Sequence, residues 1–175
     1  TLEPMLKFPV LRDLTVDHSL SLGDSARMFA LVNVAMADAV IAAWDSKIAW
    51  NFWRPSTAIH EGDYDGNPRT DGDEDWQPFF ANPNYPDYTS GANNTSGASA
   101  TAIANFFGTD DVEFTLTSVT IPAPDNVRHY TKCSDAQRDV VDARIYMGIH
   151  FRFADEEAAK IGRRVAHWGN RHAFR

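Results

Sequence analysis

Residues 27–55 read RMFALVNVAMADAVIAAWDSKIAWNFWRP, and their spacing decides the kind of chain this is. Met28, Leu31, Val32, Ala35, Ala39, Val40 and Ala43 recur three and four apart, the period of one apolar stripe on an α-helix. Asp24 or Ser25 is the expected cap. The helix is expected to reach Trp50 or Asn51 before Pro55, which disfavours the helical region for the residue ahead of it. Lys47 lies four residues after Ala43 and seven after Val40, so it continues the buried stripe. Arg54 lies seven further on, on the same face if the turn persists. Two cations therefore point where a core belongs.

Upstream, residues 1–24 show no sustained period and are expected to be irregular. Downstream, residues 61–88 are rich in Asp, Gly, Asn and Pro and read as a long loop of the functional or mobile kind. A second helix is expected from Ser90 through a run of small residues to Phe107, with Gly108 at its C-terminal stop. The string TSGA occurs twice there, at residues 89–92 and 95–98, without making a repeat of structural length. Val112 to Ile121 alternates weakly before Pro122 and Pro124, which predicts a short extended piece or hairpin. Ser134 and Gln137 have capping-box spacing for a third helix, about Asp135 to Met147, stopped by Gly148. A fourth is expected from Asp155 or Glu156 to Trp168, its acids suiting a helix N-terminus. The sum is an all-α bundle with long loops, residues 1–175 forming one domain. At this length roughly 70% of the unfolded surface can be buried on folding.

The net charge of −8 argues against a nucleic-acid or anionic-membrane partner. It is divided unevenly: residues 1–125 carry 6 basic and 18 acidic side chains, and residues 126–175 carry 10 and 6. A bound anion is therefore expected near the C-terminal segment. The single cysteine, Cys133, excludes an intrachain disulfide and leaves the compartment undecided. No apolar run approaches the roughly 18 residues of a bilayer span, and the start at Thr1 lacks a signal-peptide pattern. The chain is expected to be soluble, without membrane insertion and already processed. Export and homo-oligomer formation are left open.

Arg144 repeats the oddity of the first helix, three and four residues after Val141 and Val140 and three before Met147. Each cation taken alone fits an ordinary buried pair with Asp38, Asp45 or Asp142. The three together, with nearby acids mostly on exposed faces, point to one shared external anion, because an unpaired buried charge costs several kcal/mol. Two guanidiniums and an ammonium match a tetrahedral oxyanion. Ser90 and Gly91 would add a hydroxyl and the free N–H groups of a helix start. His150 lies six residues after Arg144, roughly 120° away around an unbroken helix, so that helix must end near Gly148 if both face one ligand. Beside these cations a neutral imidazole is a nucleophile or covalent ligand for phosphorus or vanadium.

Three ordered segments carry a resemblance. KIAWNFWRP (Lys47 to Pro55), PDYTSGAN (Pro86 to Asn93) and ARIYMGIHFRFAD (Ala143 to Asp155) resemble the signatures of the vanadium-dependent haloperoxidases and type 2 phosphatidic acid phosphatases. RPSTAIHEGDYDGNP and GTDDVEFTLTS are similar to the haloperoxidase-like members. The resemblance covers most of the chain after residue 25 and implies the helical fold of that superfamily, with N-terminal helices of longer relatives absent. It implies vanadate bound covalently by His150, or phosphate or sulfate in the same site. Lys47, Arg54, Ser90, Gly91 and Arg144 would hold its oxygens, with Lys47 polarising bound peroxide. The implied reaction is oxidation of halide by hydrogen peroxide, vanadium acting as a Lewis acid. The alternatives are an acid phosphatase cleaving phosphate monoesters through phospho-His150, and a weakened phosphate-binding protein. The departure is Ala92, where the family usually has an acid-base histidine; Asn93 or a water would then substitute, or His60 or His129 if the fold brings them close.

Asp63, Asp65, Asn67 and Glu74 imitate the spacing of a calcium loop, but Pro68 stands where that loop needs glycine, so a solvated acidic loop is expected. Trp50, Trp53 and Tyr85 read as packing residues or as lining of a substrate entrance.

Overall fold

A computed structural model describes residues 3–118 and 124–173, with side chains of the first helix described from Phe8 on. The element order is α1 (Glu3–Asp17), α2 (Leu22–Trp50), α3 (Pro55–His60), a 3-10 turn at Gly62–Tyr64, α4 (Gly91–Phe107), β1 (Phe114–Thr117), β2 (Val127–Tyr130), α5 (Cys133–Tyr146) and α6 (Arg152–His172). The fold is an all-α bundle carrying one antiparallel hairpin, in which Phe114 faces Tyr130 and Thr117 faces Val127.

α2 follows its apolar stripe: Met28, Leu31, Val32, Ala35, Met36, Ala39, Ala43 and Lys47 are buried. Its cap is Ser21, whose hydroxyl accepts from Asp24 N at 3.1 Å and donates to the Asp24 carboxylate at 2.7 Å; Asp24 and Ser25 lie inside the helix. The stop is Asn51 in the left-handed region, so the turn does not persist to Arg54. Arg54 instead becomes the extended cap of α3, with Pro55 at the first helical position. By length and composition α2 contains a membrane-length window of mean hydropathy 1.6, which corrects the expectation that no such segment exists. Its buried stripe packs on α4 and α6, as a core helix does.

The expectation of an irregular start is overturned by α1, whose Val10, Leu11 and Leu14 join the core with Met28 and Val32. Pro4 and Pro9 mask it in the sequence, yet Pro9 costs only one backbone hydrogen bond in a helix held by packing. The loop at 61–88 holds apart from its 3-10 turn. The hairpin is confirmed over β1, its second strand lies beyond the expected stretch, and Ile121 and Pro122 fall outside the described residues. α5 starts at Cys133 with Lys132 as cap, not with a capping box. Ser134 is taken by Asp110, which accepts from its N–H at 3.0 Å and its hydroxyl at 2.5 Å. α6 begins three residues earlier than expected and ends four later.

α4 is the hub, packed against α2, α5 and α6. Its small residues let α6 approach backbone to backbone. A Cβ on Gly97 would stand 2.6 Å from Ala159 O, and one on Gly162 of α6 2.1 Å from Asn94 O. That contact sets the first turn of α6 beside the first turn of α4.

Candidate active site

Lys47, on the last turn of α2, is 1% exposed and donates from Nζ to Pro86 O at 2.7 Å and Asp87 O at 2.9 Å. Arg54 is 6% exposed and donates from Nε to Tyr85 O at 3.0 Å and from Nη1 to Ile149 O at 2.7 Å. Both cations lie over the Tyr85 ring, at 5.0 and 5.1 Å from its centroid. Neither uses Asp38 or Asp45, and Asp142 is bridged by Arg152 at 3.0 Å. The cations thus converge on the 85–87 segment, each with N–H donors to spare, since an ammonium has three and a guanidinium five.

Gly148, at φ +74°, ends α5 and turns the chain so that His150 enters the same cluster. The Trp76 ring lies within 3.2 Å of where a Cβ would be, so this glycine is required twice over. His150 is 6% exposed; its Nδ1 hydrogen-bonds the Asp87 carboxylate, and Arg54 Nη1 lies 3.4 Å from its Nε2. The partners set the tautomer: Nδ1–H donates to Asp87, and the Nε2 lone pair faces the cations. Burial lowers the pKa of His150 against the opposing pull of Asp87, and the Arg54 and Lys47 charges add to the lowering. These effects favour the neutral form of the imidazole. Lys47 is pushed down to about 8, first by burial and then by Arg54. Burial likewise lowers Arg54, with Asp87 opposing.

Ser90 caps α4, accepting from Asn93 N at 3.5 Å, and its own N–H donates to Ala154 O at 3.4 Å. A Cβ on Gly91 would meet nothing within 4 Å, which leaves open space at the start of a helix whose first N–H groups have no intrahelical acceptor. Arg144, half-buried on the last turn of α5, is within electrostatic reach of Arg54 and of Asp155.

Two carboxylates of this cluster were not singled out in the sequence as site residues: Asp87 and Asp155, both 0% exposed. Asp87 sits inside the second signature, next to Tyr88, and only its partner in space reveals it. Asp155 reads as an ordinary helix-start acid, but its Oδ1 accepts from Asn93 Nδ2 at 2.7 Å. Asn93 is thereby committed to Asp155 and Ser90, and an amide is neither an acid nor a base near neutral pH. Of the two distant histidines, His60 is engaged with Trp76 O at 2.8 Å and His129 with Thr115 at 2.9 Å, so neither makes a hydrogen bond within the cluster. Trp50 and Trp53 are exposed, which removes them from the core. Asp63 and Asp65 cap local turns at Gly72 N and Asn67 N. An apolar cavity of about 130 Å³ lined by Val10, Ile103, Phe114 and Val140 shares no residue with the cluster.

Residues 27–175 match the family model of the VCPO second helical-bundle domain. The chain belongs to that family. As a member of the VCPO second-bundle family, it is 29% identical over 181 residues to the vanadium chloroperoxidase of Curvularia inaequalis, covering 78% of this chain and 29% of that enzyme. It is also similar to the crystal structure of a bacterial vanadium-dependent iodoperoxidase, with a TM-score of 0.81, 27% identity, and coverage of 94% of this chain and 37% of that one. A holo-type bacterial vanadium-dependent chloroperoxidase shares the fold at a TM-score of 0.66 and 20% identity, over 81% of this chain and 34% of that one. The chain thus spans less than two fifths of the length of these relatives.

The donor set fits vanadate. Among the described residues no three His, Cys, Asp or Glu side chains are grouped to chelate a cation. What the cluster offers is a buried imidazole whose Nε2 faces Arg54 Nη1 at 3.4 Å, with the buried Lys47 ammonium in the same cluster, a set that suits an oxyanion.

Proposed function

We propose that Lys47, Arg54, Ser90, Gly91, Arg144 and His150 hold vanadate, and that the protein oxidises halide with hydrogen peroxide. The observation that carries this reading is an imbalance of buried charge. Lys47 and Arg54 are almost fully enclosed, repel one another and are met mainly by carbonyl oxygens, while among the described residues the carboxylate bonded to the His150 imidazole is that of Asp87. A tetrahedral oxyanion would relieve that imbalance.

Bound vanadate supplies a Lewis acid that activates hydrogen peroxide towards halide without changing oxidation state. The protein's part is to hold it. His150 offers Nε2 because Asp87 keeps the proton on Nδ1, a support that also fixes the ring plane. Lys47, Arg54 and Arg144 neutralise oxyanion charge, and the start of α4 adds N–H donors where Gly91 leaves room.

The test is to load the protein with orthovanadate and measure bound vanadium together with bromide- and iodide-dependent halogenation. Saturable vanadium binding that is lost in His150→Ala, with peroxide-dependent halogenation in the parent, is expected; binding that survives His150→Ala refutes the assignment. Hydrolysis of p-nitrophenyl phosphate, inhibited by vanadate and lost in the same variant, would instead assign phosphate-monoester chemistry to this site.

A further inference from the structure

Away from the anion cluster, α4, α5 and α6 border a second cavity, of about 220 Å³, which shares no residue with the cluster. Its walls carry donors without acceptors. Asn105 Nδ2 from α4 and Gln137 Nε2 from α5 are buried and, among the described residues, have no hydrogen-bond partner. Arg163 and His167 line the same space from α6, four residues apart and so on one face of that helix. Both are exposed, and among the described residues neither makes a hydrogen bond or an ion pair. The carboxylate in the wall is already engaged: Asp110 Oδ1 accepts from Ser134 N at 3.0 Å and Oδ2 from the Ser134 hydroxyl at 2.5 Å. Glu157, two turns before Arg163 and His167, is bridged by Lys160.

Buried amide donors are ordinarily satisfied, so two unmet ones beside one cavity call for an acceptor from outside the chain. The guanidinium decides which acceptor, because its planar fork matches a carboxylate with two parallel bonds. The neighbouring space decides what the carboxylate is attached to. Ala100 and Gln137 also line the apolar cavity of about 130 Å³ that Val10, Ile103, Phe114 and Val140 share. Donors thus stand on one side of Gln137 and apolar walls on the other.

We propose that this three-helix cavity binds a small organic carboxylate with a short apolar tail. Arg163 holds the carboxylate in its fork, with His167 beside it on the helix face, and the Asn105 and Gln137 amides donate to the lone pairs left over. The tail lies against Ala100 and the apolar walls behind Gln137. No bond is made or broken, and the inference stands apart from the anion cluster.

Calorimetric titration of the protein with acetate, butyrate and hexanoate tests this, with butyramide as the neutral control. Saturable binding of butyrate and hexanoate is expected, stronger by about fourfold for each methylene buried, and none of butyramide. Arg163→Gln should weaken butyrate by about 10- to 100-fold, and Gln137→Leu hexanoate by about 3- to 10-fold. Because the Gln137 amide nitrogen has no partner to lose, Gln137→Leu should keep the parent's midpoint in denaturant. His150→Ala should bind hexanoate as the parent does.

No saturable carboxylate binding, or parent-like binding in Arg163→Gln, overturns the proposal. Equal affinity for acetate and hexanoate, or binding of butyramide, overturns the ligand class. Binding lost in His150→Ala and kept in Arg163→Gln would place the carboxylate in the anion cluster, against this inference and not against that site. Should a variant misfold, nitrogen-15 spectra of the parent decide: the side-chain amide signals of Asn105 and Gln137 are expected to shift on saturation with hexanoate, and signals that stay in place refute the assignment.

Discussion

Asp87 fixes what His150 is. Its carboxylate accepts from Nδ1 and so presents Nε2, with its lone pair, to the cation cluster. Asp87→Asn keeps the shape but removes the negative charge that holds the tautomer. It is expected to weaken vanadate binding by about 10- to 100-fold at unchanged fold, measured by equilibrium dialysis, and parent-like affinity would refute the role. Lys47 sets a pH limit. Its folded pKa of about 8 lies below the ordinary 10.5, so between these values the unfolded chain holds a proton that the folded one has released. Lys47's contribution to stability therefore rises with pH across that window, whereas anion affinity, which needs the cation, falls. Sulfate titrations at pH 7 and 9.5 should show this fall in the parent protein and lose most of it in Lys47→Arg. At this scale Lys47 was legible because charge on an apolar stripe violates the helical period, whereas Arg54 was reached only by extending a helix that stops at Asn51. Asp87 and Asp155 were not, because an isolated acid in a loop or first turn breaks no pattern.

α4 and α6 meet where side chains are missing, and the two kinds of glycine on α4 and its partner separate fold from function. Gly162→Ala would force a Cβ to 2.1 Å from Asn94 O and 2.7 Å from Ala98 N. Backbone cannot yield as a side chain does, so a loss of at least the roughly 1–3 kcal/mol of ordinary overpacking is expected in denaturant unfolding. Gly91→Ala meets no neighbour and should leave stability within about 1 kcal/mol, yet reduce anion affinity by filling the space at the helix start. Equal damage from both substitutions would contradict this division. α2, α4 and the break at Gly148 were readable because stripe, small residues and stop signals agree with the packing. α1 was hidden by its prolines. Ser134 was misread because its partner, Asp110, comes from a distant loop that local spacing does not reveal.

Across the whole molecule, the charge asymmetry points to only part of the buried cluster: Arg144 and His150 come from the basic C-terminal segment. Lys47 and Arg54 come from the acidic part of the chain, while several C-terminal cations are spent on exposed pairs such as Arg138–Asp135 and Arg152–Asp142. What assembles the cluster is the crossing of α2, α4 and α6. The hydrogen bond from Arg54 to Ile149 spans 95 residues, and that from Lys47 to Pro86 spans 39. Lys47 and Arg54 thus lie before the 61–84 segment, and Ser90, Gly91, Arg144 and His150 after it. Cut within that stretch, the polypeptide would yield one piece bearing the ammonium and one guanidinium and another bearing the imidazole, the second guanidinium and the α4 start, so on the proposed reading neither piece would grip the guest alone. Recovery of the grip would then become a bimolecular event, governed by how concentrated the two pieces are.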